Sequence, residues 1–101
     1  MSWPRLHPEA AAELQESILW TQARSPDAAK LLFIELDATL TRIATAPCQF
    51  PVWPSDPTIR RAVLTQHPYI VYSLGDAPGE TVVLAVAHTR REPGYWRSRS
   101  I

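Results

Sequence analysis

Four prolines fall within residues 47–57 (PCQFPVWPSDP), and neither a helical nor a strand period survives there. Proline fixes φ and offers no backbone N–H, so this density excludes a long helix or a central strand and predicts a rigid connector. Phe50, Val52 and Trp53 are the connector residues expected to pin it to the core. The connector divides the chain into two unlike halves. Before it, apolar residues recur at helical spacing; after it, they gather in short β-branched runs.

In the first half, His7-Pro8-Glu9 reads as a helix entry, with proline at the first helical position and an acid near the positive end of the dipole. Ala11, Leu14, Ile18 and Thr21 then mark a helix over about residues 8–24. Ser25-Pro26-Asp27 restarts the chain with an N-cap serine, and Leu32, Leu36, Leu40 and Ile43 form the buried stripe of a second helix ending at Pro47. So short a link predicts an antiparallel hairpin. Ahead of it, Ser2–Leu6 reads as a short strand, and Pro4 assigns that strand to an edge.

The second half offers strands at Thr58–Thr65, Tyr69–Leu74 and Thr81–Thr89, joined at His67-Pro68 and at Gly75-Asp76-Ala77-Pro78-Gly79. Connections this short favour an antiparallel meander. Val82–Ala87 is apolar on both faces and therefore central. The order β-α-α-β-β-β predicts a two-layer α+β fold: an N-terminal antiparallel helical hairpin packed on an antiparallel sheet. The chain has 101 residues, which suits one domain over 1–101, with 97–101 as a tail whose order the sequence leaves open.

Charge is zero overall but unevenly spread. Residues 1–59 hold four bases against seven acids, whereas residues 60–101 hold six arginines against three acids. An arginine-rich half offers bidentate donors to phosphates or carboxylates. Cys48 is the single cysteine, so no intramolecular disulfide can form, and with no apolar run long enough to cross a bilayer a soluble cytoplasmic protein is expected. No ligand spacing suggests a metal and no glycine-rich loop suggests a nucleotide, so no cofactor is expected. Trp3 and Trp20 are candidate interface anchors for which partly buried packing weighs more, and Glu13 with Glu16 reads as one solvated helix face.

The richest chemistry leaves the end of the last strand, in His88-Thr89-Arg90-Arg91-Glu92-Pro93-Gly94-Tyr95-Trp96-Arg97-Ser98-Arg99. Guanidiniums clamp phosphates, aromatic faces stack on bases, and His or Tyr moves protons. Arg60 and Arg61 lie on a strand that a meander can bring beside this segment. By residue type alone, packing roles for Tyr95 and Trp96 and ion pairs for the arginines weigh more than a site.

Taken in order, these pieces resemble the RelE/ParE toxins of bacterial type II toxin–antitoxin systems over nearly the whole chain. The matching stretches are His7-Pro8-Glu9-Ala10 with Leu14, Ile43-Ala44 with Pro47 and Phe50-Pro51, Ile59–Leu64, His67–Tyr72, and Val82–His88 with Arg90-Arg91 and Pro93-Gly94-Tyr95-Trp96. The resemblance implies a cognate antitoxin whose tail wraps the toxin in a hetero-oligomer that meets operator DNA only through the antitoxin. RelE-like members cleave messenger RNA on the ribosome. That likeness makes His88, Arg91 (or Arg90), Tyr95 and Arg61 (or Arg60) the catalytic candidates. ParE-like members poison DNA gyrase without chemistry of their own, and the resemblance then leaves Arg60, Arg61, Arg90, Arg91, Tyr95 and Trp96 as residues for target or antitoxin. The strands lack the lysines common in RelE-type sites, and the net charge is zero, which tilts the reading toward the ParE-like branch. A decayed toxin kept as an antitoxin-binding module is the reading from another class.

Overall fold

A computed structural model describes residues 2–99. The chain runs β1 (Arg5–Leu6), α1 (Pro8–Arg24), α2 (Pro26–Thr45), a 3-10 turn (Pro47–Gln49), β2 (Val52–Trp53), β3 (Asp56–Val63), β4 (Tyr69–Leu74) and β5 (Val82–His88). The strands form one sheet in the order β1-β5-β4-β3-β2, with β1 parallel to β5 and the other pairings antiparallel. The expected two-layer α+β architecture is present, with one short strand added inside the proline-rich connector.

The helices start where local chemistry dictates. His7 caps α1, its Nδ1 accepting from the Glu9 N–H at 3.1 Å. Ser25 both closes α1 and caps α2, its Oγ accepting from the Ala28 N–H at 3.2 Å. One residue thus serves two helix ends and fixes the hairpin turn. Leu32, Leu36, Leu40 and Ile43 are fully buried, as their spacing predicts. In α1 the buried face is turned from the expected one. Ala10 and Ser17 are buried, Leu14 and Ile18 partly so, and Ala11 is exposed. A lone methyl gains little from burial, and this turn brings Glu13 to the margin of the packed face.

The prolines stop long elements but permit short ones. Val52 pairs with Arg60 and Trp53 with Asp56, so the connector carries a strand that its sequence period does not show. Phe50 and Trp53 are buried as expected; Val52 is exposed. The third strand begins at Asp56 and ends at Val63, short of the expected Thr65, because the Thr65 and Gln66 N–H groups turn to the Glu35 carboxylate of α2. The first strand shrinks to Arg5–Leu6, since Pro4 has no donor and the Trp3 indole instead donates to Asp37 at 2.7 Å.

β5 lies between β1 and β4, and a bulge there sets which side chains face which layer. Tyr72 pairs with Ala85 and Ser73 with Val83, so Leu84 is the extra residue. Val83 and Val86 consequently pack under the helices, while Leu84, Ala85 and Ala87 face the opposite side. The helices cover the first face. The second is covered by the C-terminal segment, whose Trp96 is 1% exposed between Trp53 and Tyr72, with ring centroids at 5.1 and 4.5 Å. Trp96 is therefore a core residue, the packing role its residue type favours, rather than the exposed target or antitoxin contact left to it by the resemblance. We expect Trp96→Ala to cost about 4 kcal/mol of stability, read as a lower urea midpoint.

Candidate functional site

β1 pairs with β5 only at Val82 and Val83, and its last bond runs from the His7 N–H to the Val83 carbonyl at 2.9 Å. Beyond that point the flank of β5 has no neighbouring strand, yet its backbone groups still require partners. Two side chains supply them. Glu13 of α1 accepts from the Val86 N–H at 3.0 Å, and Arg99 donates to the Leu84 carbonyl at 2.8 Å. The same two residues form a fork, Nη1 to Oε1 and Nη2 to Oε2, both at 2.9 Å. The Tyr95 hydroxyl donates to Glu13 Oε2 at 2.6 Å. Each carboxylate oxygen thus accepts two bonds, which fills the acceptor sites of an ionised carboxylate.

Gly94 makes this possible with φ of +92°, a backbone conformation costly for a side-chain-bearing residue. It sends Tyr95 toward α1 and Trp96 beneath the sheet. The ring of Tyr95 then carries the Arg91 guanidinium on its face at 3.7 Å and the Arg99 guanidinium at 5.2 Å. An open cleft forms over this group. Glu16, Ser17 and Trp20 of α1 make one wall, Tyr69 and His88 the floor, and Arg91 with Tyr95 the other wall. Trp20 is more than half exposed, with the Arg24 guanidinium stacked on it at 3.6 Å.

Of the residues singled out from sequence, His88, Arg91 and Tyr95 meet in this cleft. The others do not. Arg60 stands at the far end of the sheet, bonded through Nε to Asp76 at 2.9 Å and through Nη1 to the Phe50 carbonyl at 2.6 Å. Arg61 lies opposite Tyr72, on the sheet face away from the helices. Arg90 is exposed and meets His88 only through its backbone N–H, which donates to Nδ1 at 3.1 Å. The expected convergence of the Arg60–Arg61 strand with the C-terminal cluster fails for two reasons. Strand alternation puts Arg61 on the wrong face, and the meander puts Arg60 at the wrong end.

Glu13, Arg99 and Trp20 also carry the site, against their weight in the sequence reading: Trp20, read as packing before interface anchor, is exposed, and Glu13, read as solvated, is largely buried against Arg99. Glu13 had one legible signal: with Ala10, Ser17 and Thr21 it follows the helical spacing of the buried face. Arg99 had none. Within the tail left open by the sequence, residues 97–99 are anchored, and Ser100 and Ile101 lie outside the described residues.

Electrostatics match the geometry. Burial pushes the Glu13 carboxyl up, but bonds from Arg99, Tyr95 and the Val86 N–H outweigh it and hold the group below the ordinary 4.5. Burial, then the bond to Glu13, pushes the Tyr95 phenol far above its ordinary 10.0. Glu35 behaves like Glu13: burial raises it, and His67, Thr65 and Gln66 pull it below 4.5. Among the described residues no group of three or more His, Cys, Asp and Glu suits a metal ion, and no helix is long and apolar enough to cross a membrane.

Residues 5–93 match the family described as the ParE toxin of the type II toxin–antitoxin system parDE. The chain belongs to this family. It is accordingly the toxin of a type II pair, and its partner is an antitoxin. The match includes Glu13 and Arg91 and ends before Tyr95 and Arg99. A comparison with curated proteins finds no match.

A carboxylate depressed in the folded state stabilises fully above its unfolded pKa, and that contribution disappears as pH falls through the folded value. The melting temperature of this ParE toxin should therefore drop from about pH 6 to about pH 3, with a smaller drop in Glu13→Gln, where Glu35 alone of the two remains to titrate.

Proposed function

We propose that this ParE toxin arrests growth by binding its target through the cleft without chemistry of its own, and that the target is DNA gyrase, a cytoplasmic enzyme. The observation that carries this reading is that the groups suited to moving protons are already committed. The Tyr95 hydroxyl donates its hydrogen bond to the Glu13 carboxylate and is raised by burial and by Glu13, which opposes a role as general base. His88 Nδ1 accepts a backbone N–H, so in the neutral ring the proton sits on Nε2. Arg60 and Arg61, which a phosphate-cleaving site would recruit, lie at another end and on another face.

What remains available in the cleft suits recognition. The Arg91 guanidinium rests over the Tyr95 ring at 3.7 Å, and among the described residues no acid pairs with it, so its N–H groups are available to a carboxylate. Trp20 offers an exposed indole on the opposite wall of the cleft. An aromatic–arginine pairing of this kind is typical of the residues that dominate protein interfaces.

Gathering His88, Arg91 and Tyr95 in one cleft also suits a ribosome-dependent ribonuclease, which is the second reading. Purified toxin should inhibit gyrase supercoiling, and Arg91→Ala should raise the half-inhibitory concentration about tenfold or more. Full gyrase turnover at saturating toxin, together with new cuts at ribosomal A sites by primer extension, would transfer the assignment to the nuclease.

A further inference from the structure

The clamp on β5 raises the question of why a helix acid, a phenol and Arg99, the last arginine of the chain, are tied to one point. Sealing the strand flank needs only Glu13 and Arg99, because those two bond Val86 and Leu84. Tyr95 bonds no backbone group through its hydroxyl; it bonds Glu13. Its ring is in turn the surface on which Arg91 rests. The connection therefore runs from the central strand to Glu13, from Glu13 to Tyr95, and from Tyr95 to the free guanidinium of the cleft.

We propose that Glu13 is a positioning residue of the cleft: by holding the Tyr95 phenol against the flank of β5, it sets where the Arg91 guanidinium stands and presents it to an acidic side chain of the target protein. The proposal rests on the reading of the cleft as the target-binding surface. Three physical points support it. Glu13 accepts four bonds, two per oxygen, from partners on β5 and the C-terminal segment, so the carboxylate has one orientation. A phenol that donates to a carboxylate gains electron density in its ring, which strengthens the attraction for a guanidinium on its face. And the guanidinium over the ring is paired with no acid among the described residues, which leaves its N–H groups available to meet a carboxylate in two parallel bonds.

The clamp's register to the sheet gives the arrangement precision. Val86 and His88 belong to the same strand face, so the backbone group that fixes Glu13 and the imidazole on the cleft floor move together. Arg91 is tied to that strand end as well, since its N–H donates to the His88 carbonyl at 3.0 Å. Its backbone and its stacking partner are thus both referred to β5, by separate routes. Without Glu13 only the backbone route survives, and the side chain is free to leave the ring.

A purely structural role for Glu13 makes a different prediction, and Tyr95→Phe separates the two. That substitution leaves the Glu13–Arg99 fork and both backbone bonds in place, so the flank stays sealed, but it cuts the connection to Arg91. The test compares Tyr95→Phe, Glu13→Gln, Arg91→Ala and, as a stability control remote from the cleft, Ile43→Val. One readout is the ring-current shift of the Arg91 δ-methylene protons by NMR, which reports whether the guanidinium still lies on the ring. The other is growth arrest on induced expression.

We expect Tyr95→Phe and Glu13→Gln both to lose most of the upfield shift and about tenfold or more in toxicity. Ile43→Val should keep both despite a lower melting temperature. An Arg91 shift unchanged in Tyr95→Phe and Glu13→Gln would overturn the positioning role. So would a lost shift with full toxicity while Arg91→Ala is harmless to cells. Full toxicity of Arg91→Ala would instead remove the reading of the cleft itself.

Discussion

A single carboxylate that accepts four hydrogen bonds holds the two ends of this chain together. Glu13 sits on the first helix, and its partners are a mid-sheet backbone amide, a tyrosine and an arginine from the C-terminal segment. The need for it comes from topology. The parallel strand β1 is only two residues long, so it leaves the central strand with an unpaired flank under the hairpin. A bare strand edge is both an energetic cost and a template for unwanted pairing. An ion pair whose side chains are 14% and 9% exposed closes this one. Taking both charges out of water is costly, and the filled set of bonds is what offsets it.

From that clamp the rest of the C-terminal architecture follows. Gly94 divides the segment into a residue facing the helices and a residue facing away. Tyr95 becomes the wall of a cleft, and Trp96 becomes the cover of the second sheet face. The same short stretch therefore closes the core and shapes the functional surface. A mutation in either role should disturb the other, which makes matched stability controls necessary when toxicity is read.

The sequence made the fold class legible because its signals were local and repeated. Ser25-Pro26-Asp27 caps a helix wherever it occurs, and Leu32, Leu36, Leu40 and Ile43 bury themselves by spacing alone. The short strand at Val52–Trp53 was hidden, since two residues between prolines have no period to read. The site was legible by halves. His88, Arg91 and Tyr95 lie close in sequence at the end of one strand, so proximity was enough to group them. Arg60 and Arg61 were grouped with them by charge, and charge does not report the face or the end of a strand. Glu13 and Arg99 are separated by most of the chain, and their pairing depends on the length of β1 and the turn at Gly94, which no local pattern encodes. The outcome corrects a general habit: an acid at a core-facing helical position reads as solvated until a distant arginine is found for it.

A side-chain pair stands in for a strand along the upper flank of β5, and hydrogen exchange at the Val86 amide reads whether it does. In the wild-type protein the Val86 N–H should exchange slowly, as a bonded sheet amide does. In Glu13→Ala, which removes the acceptor, it should exchange about tenfold faster or more, with the amides of β4 keeping their protection. Equal protection of Val86 in both proteins would mean that the flank is sealed by something other than Glu13, and would contradict the account.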